Sequence, residues 1–178
     1  MSLVNMIAAA ALSLSNNQGA PQTLFFLMKD DGQTWCGYSN EGVFQDVAAE
    51  LMPLESARVV YKLGAPSEIT YQVQPESGDW VVIDKYTIDP RGINLRRATV
   101  FSQSGLQIVQ NARVTRGVKT RLSLIDAKKA DGSKSGTKGI DYPAVAIYDT
   151  PSKFPFNSIA NSMRARSLAT LCGRSARL

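Results

Sequence analysis

Apolar residues recur along this chain with two different periods. Between residues 58 and 63, Val59, Tyr61 and Leu63 alternate with mostly polar neighbours, and Ile69, Tyr71 and Val73 do the same between residues 68 and 74. A period of two places each set on one face of an extended strand. The strongest run covers residues 79–88. Trp80, Val82, Tyr86 and Ile88 fall on one face and Val81, Ile83 and Thr87 on the other, so both faces read as at least partly covered, as in a central strand. Asp84 interrupts the first face. Turn sequences Gly64-Ala65-Pro66, Pro75-Glu76-Ser77-Gly78, Asp89-Pro90-Arg91-Gly92 and Ser102-Gln103-Ser104-Gly105 separate these runs from further strands at 93–101 and 106–109. Residues 112–122 add one or two more, with Gly117 as a bulge or turn.

Before this region, residues 22–28 and 34–38 read as a hairpin turned by Lys29-Asp30-Asp31-Gly32. The period then becomes helical. Val43, Phe44, Val47 and Leu51 share a face, Ser39 or Asn40 is available as a cap, and Pro53 ends the pattern. After it, residues 128–139 are rich in Lys, Gly and Ser without apolar periodicity and predict a flexible solvated loop. Residues 144–148 read as a returning edge strand, residues 156–172 as a helix capped near Asn157, and residues 173–178 as a basic tail. The expectation is one α+β domain over residues 22–172: an antiparallel β-meander of about six to eight strands with one or two helices packed on a face. A chain of 178 residues is long enough for such a domain to have a core of its own.

Residues 3–14 form an apolar run followed by Ser15-Asn16-Asn17-Gln18. Its length suits a signal peptide and falls short of the ~20 residues of a spanning helix, so no transmembrane segment is expected. The first basic residue is Lys29, which leaves a packed N-terminal helix as the alternative. The run Glu76-Ser77-Gly78-Asp79-Trp80-Val81-Val82 resembles segments of small exported bacterial proteins, a resemblance that implies a secreted or periplasmic location and no activity. Cys36 and Cys172 are disulfide candidates in such a compartment and free thiols in a cytoplasmic one.

Composition narrows the chemistry. There is no histidine, which removes the usual base near neutral pH and the commonest metal ligand. Cys36 has neither a histidine partner nor a CxxC neighbour, residues 132–139 lack phosphate-loop spacing, and the Ser135 to Lys138 spacing sits in a run too rich in Ser and Lys to carry weight. No cofactor and no metal are implied. Asp79 and Asp89 read as turn residues. Asp84, among apolar neighbours, requires a hydrogen-bonding or cationic partner, with Arg97 on the next strand the first candidate; its alternative role is as acid or base in a hydrolase-like enzyme.

The formal charge of +5 conceals a division: residues 1–90 carry a net −7 and residues 91–178 a net +12. Arg96, Arg97, Arg113, Arg116, Lys119 and Arg121 lie on adjacent expected strands, where several can share a face and attract nucleic acid or another polyanion. The plain alternative is a solvated face neutralised by the acidic first half. The leading expectation is an exported, non-enzymatic module that binds a partner or small ligand, and the alternatives are a cytoplasmic polyanion-binding module and an enzyme using Asp84.

Overall fold

The computed structural model describes residues 20–174; the expected signal peptide or N-terminal helix and most of the basic tail lie outside them. The hairpin forms first in the chain, from β1 (Gln22–Met28) and β2 (Thr34–Tyr38). Asp31 shapes its turn: one carboxylate oxygen accepts from the Gln33 and Thr34 N–H groups at 2.9 and 2.7 Å, the other from the Thr34 hydroxyl at 2.5 Å. These bonds favour the ionised form and lower the Asp31 pKa to about 2.

Helix α1 (Glu41–Leu51) starts where the Asn40 side chain accepts from the Val43 N–H at 3.1 Å. It stops at Met52, which is left-handed with φ 44° and precedes Pro53. A meander follows, from β3 (Glu55–Lys62), β4 (Ala65–Val73), β5 (Trp80–Asp89), β6 (Gly92–Phe101), β7 (Leu106–Val114) and β8 (Ser123–Lys128). Leu63 and Gly64 at φ 49° and 80° make the two-residue turn between β3 and β4, the geometry that matches strand twist in a tight hairpin. After a single-turn helix at Pro151–Lys153 come α2 (Asn157–Arg166) and β9 (Thr170–Arg174).

All nine strands join one antiparallel sheet in the order β8-β7-β6-β5-β4-β3-β1-β2-β9. The α+β meander is therefore as expected, one strand larger. Three expectations are corrected. Residues 112–114 only lengthen β7, residues 115–122 form no strand, and the next strand is β8 beyond them. Residues 144–148 are extended but pair with no strand; they cross the sheet as a strap. The second helix ends at Ser167, left-handed at φ 52°, and residues 170–174 return to strand beside β2. The Lys/Gly/Ser run, exposed over most of its length, folds back on β8 through a Lys128–Lys134 bridge and a Ser135 N–H to Ala127 carbonyl bond of 2.9 Å.

The core lies on one face. Leu24, Phe26, Trp35, Val59, Ile69, Tyr71, Tyr86 and Leu95 are covered there by α2 and by Phe154 and Phe156, which follow the strap. Phe156 stacks on Phe26 with ring centres 4.7 Å apart, and Phe154 meets the Tyr86 ring edge-on at 5.1 Å. A smaller cluster on the opposite face joins Phe25, Leu27, Cys36 and Tyr38 to Phe44, Val47, Ala48 and Leu51 of α1. Cys36 and Cys172 are disulfide-bonded across directly paired positions of β2 and β9, so the bond joins two strands rather than a hairpin and a helix.

Candidate functional site

Period-two geometry sorts the polar residues of the meander onto two faces with different fates. On the covered face, Asp84 of β5 lies opposite Arg97 of β6. Arg97 donates from Nε and Nη2 to the two carboxylate oxygens at 2.7 and 2.6 Å, and neither side chain is more than 6% exposed. The same Nη2 reaches the Val145 and Ala146 carbonyls of the strap at 3.2 and 3.4 Å. The Tyr86 hydroxyl donates to Asp84 at 3.4 Å and accepts from the Tyr148 N–H at 3.3 Å. Burial, and then the Asp84 charge, push the Tyr86 pKa up, so it serves as a neutral donor. This seam fastens strap to sheet. Asp84 has no exposed surface from which to meet a substrate.

Arg97 therefore does not belong with the exposed cations. Arg116, Lys119 and Arg121 are exposed but do not share a strand face with Arg96: they lie between β7 and β8, outside the strands, and Lys119 lines a shallow pocket with Val145, Ile147 and Asp149 on the strap side. Gly117 in that segment donates its N–H to Asp149 at 2.9 Å, which together with Lys153 lowers the Asp149 pKa.

Arg96 and Arg113 are exposed on the opposite face, which α1 covers only over β1 and β2. Strand register places Arg96 in a continuous row. Arg58 of β3 pairs with Thr70 of β4, Thr70 with Lys85 of β5, Lys85 with Arg96 of β6, Arg96 with Asn111 of β7, and Asn111 with Ser123 of β8. Arg113 lies opposite Asn94 in the neighbouring row and donates to the Arg91 carbonyl. Lys85, Arg96, Asn111, Arg113 and Ser123 line an open depression of about 660 Å³ with Thr87 and Asn94. Lys85 and Arg96 are like charges directly across a strand pair, an arrangement that destabilises a sheet unless something anionic lies near. Glu68 supplies one carboxylate, 3.5 Å from Lys85 and 4.0 Å from Lys62. Among the described residues Arg58, Arg96 and Arg113 have no ion-pair partner.

Beside the row the same face turns apolar. Ile83, Ala98 and Val109 align across β5, β6 and β7, with Val81 and Val100 in the next row, all half-buried. No aromatic side chain of β3 to β8 points to this face, so it offers charge, amides and aliphatic surface but no ring for stacking. Lys85 and Arg58 were not among the sequence candidates. Both lie in the acidic half of the chain, and only the register shows that they extend the Arg96 row.

No family model, curated protein or solved structure matches this chain. Among the described residues no cluster of three His, Cys, Asp or Glu side chains is placed to hold a metal ion, and no helix is long and apolar enough to cross a membrane.

Proposed function

We propose that this protein is a non-enzymatic binding module that docks a polyanion on the open face of its sheet. The observation that carries this is the row from Arg58 through Lys85 and Arg96, with Arg113 beside it, on a face where three arginines have no carboxylate partner among the described residues. Cations fixed at strand positions suit a chain of phosphate or sulfate groups, because each neutralised group releases condensed counterions. Interleaved Thr70, Asn94, Asn111 and Ser123 add hydrogen-bonding groups without adding charge. Export supports an extracellular or periplasmic setting for this binding: the Cys36–Cys172 bond suits an oxidising compartment, and the apolar run at residues 3–14 suits a signal peptide.

The test is binding of a labelled oligonucleotide and of heparin at several salt concentrations. Four engaged cations give a log–log salt slope of about −3 to −4. Arg96→Ser with Arg113→Ser should reduce that slope by about 1 to 2. Changing Lys134 and Lys138 should have a smaller effect. Equal losses from both pairs would indicate diffuse attraction by the basic half, and unchanged binding after the loss of Arg96 and Arg113 would remove the face as the site.

A further inference from the structure

The open face also carries a complement to itself. Helix α1 contains Glu41, Asp46 and Glu50 and no basic residue, and all three acids are exposed. Its outward side adds apolar surface: Val43 is 47% exposed, and Met52 at the helix end is 73% exposed. The uncovered part of the sheet offers the matching pair of properties, an arginine and lysine row next to an aliphatic patch of Ile83, Ala98, Val100 and Val109.

Position makes the two fit. Strand β4 is the fifth of nine in the sheet, and α1 sits over β1 and β2 on one side of it. A two-fold axis along β4, with the open faces opposed, carries α1 of one copy over β6 and β7 of the other, where Arg96 and Arg113 lie. The two helices then lie between the two sheets, each against the cation row of the other copy. The uncovered area, six strands at ~4.8 Å by about seven residues at ~3.3 Å, is roughly 650 Å² per copy. The helix of the partner covers the part of it over β6 and β7, and the association is carried by charge matching between α1 and the cation row.

We propose that, without polyanion, two copies associate face to face in this way, α1 of each masking the cation row of the other. The self-complementary interface is of the kind a closed two-fold dimer requires. The inference shares its surface with the polyanion reading, so a second copy and a polyanion compete for the same arginines.

Sedimentation velocity across a salt series, with and without an oligonucleotide, tests it. A dimer at low salt that dissociates as salt or oligonucleotide rises is the expected result. Asp46→Lys with Glu50→Lys should weaken the dimer by about tenfold or more while leaving oligonucleotide binding undiminished, and Arg96→Glu with Arg113→Glu should weaken both. Combining all four changes in one chain should restore the dimer, which shows that the separate variants lost charge matching and not their fold. A monomer at every salt concentration overturns the dimer, and if that monomer binds the oligonucleotide the polyanion reading stands without it. A dimer indifferent to Asp46→Lys and Glu50→Lys also overturns it. A dimer with the expected charge dependence that ignores oligonucleotide and heparin supports the dimer and removes the polyanion reading.

Discussion

Arg97 grips Asp84 with two hydrogen bonds inside the sheet face and spends its remaining donor capacity on the backbone of a segment 48 and 49 residues away. An ion pair this dry contributes through geometry, because desolvation cancels much of the attraction between the charges. Asp84→Asn or Arg97→Met, each leaving one uncompensated buried group, should cost about 3 to 5 kcal/mol. Arg97→Met with Asp84→Leu should cost clearly less than the sum, read as coupling in a urea-denaturation cycle. Only the variants that lack Arg97 should also loosen the strap, visible as faster hydrogen exchange at Ala146 to Tyr148.

The disulfide is unevenly exposed. Cys172 faces solvent, whereas Cys36 is buried beside Phe25, Leu27 and Tyr38. A thiolate reductant attacking the accessible sulfur must expel Cys36 as a thiolate into an apolar site, an unfavourable leaving group. Reduction of the native protein should be slow and should accelerate sharply in denaturant. The bond closes a separation of 136 residues, worth ~5 kcal/mol in chain-entropy terms. Titration of the denatured, unreduced protein should find no free thiol, and two would show the bond absent.

Tyr71, Tyr86, Tyr61 and Tyr148 all have raised pKa values, chiefly through burial, with the Glu55 charge adding to the rise at Tyr71. A phenol held neutral in the folded state stabilises the protein fully below its unfolded pKa of 10. That stability is lost as pH rises above this value, because the unfolded chain ionises first. Phenolate absorbance from these four tyrosines should therefore appear only in a late phase coincident with unfolding. Tyr86→Phe should make the fall of stability with pH in this range shallower. Phenolate formation at buried sites without loss of circular dichroism would contradict the packing described.

Gly37 has α2 directly above it. A Cβ there would come within 2.8 Å of the Phe26 ring and would also strike the Met163 sulfur. Gly37→Ala should destabilise by about 1 to 3 kcal/mol through overpacking. Met163→Ala in the same chain should recover part of that loss, since it empties the volume the new methyl needs. A melting temperature unchanged by Gly37→Ala would place α2 farther from β2 than the structure does.

How much of this was legible varied with how local the cause was. Asn40, Pro53 and the Gly-bearing turns act within a few residues, so α1 and the meander as far as β7 follow from short windows of sequence, whereas β8 does not. Strand β9 was hidden because Leu168 and Leu171 continue the spacing of Ile159 and Met163, so the helical pattern outlasts the helix. The end is set by Ser167, a residue with no strong stop signal. Residues 144–148 have the composition of a strand, yet the Val145 and Ala146 carbonyls are satisfied by Arg97 and not by a neighbouring strand. At the site, neighbouring positions on one strand point to opposite faces, which separates Arg96 from Arg97 by simple alternation. Joining Arg96 to Arg58 and Lys85 required knowing which strands pair and in what register, information that no single window contains.

The order of the strands bears on how the chain is made. Strand β3 pairs with β1, and β4 to β8 each pair with the one before, so the meander can form from segments close in sequence, but β2 waits for its outer neighbour until residues 170–174 are in place. Until then the β2 edge, with Trp35 and Cys36 at its centre, is left unpaired. Strand β9 is thus a cover as well as a strand: with residues 170–174 unable to pair, the β2 edge is a template on which neighbouring molecules can add.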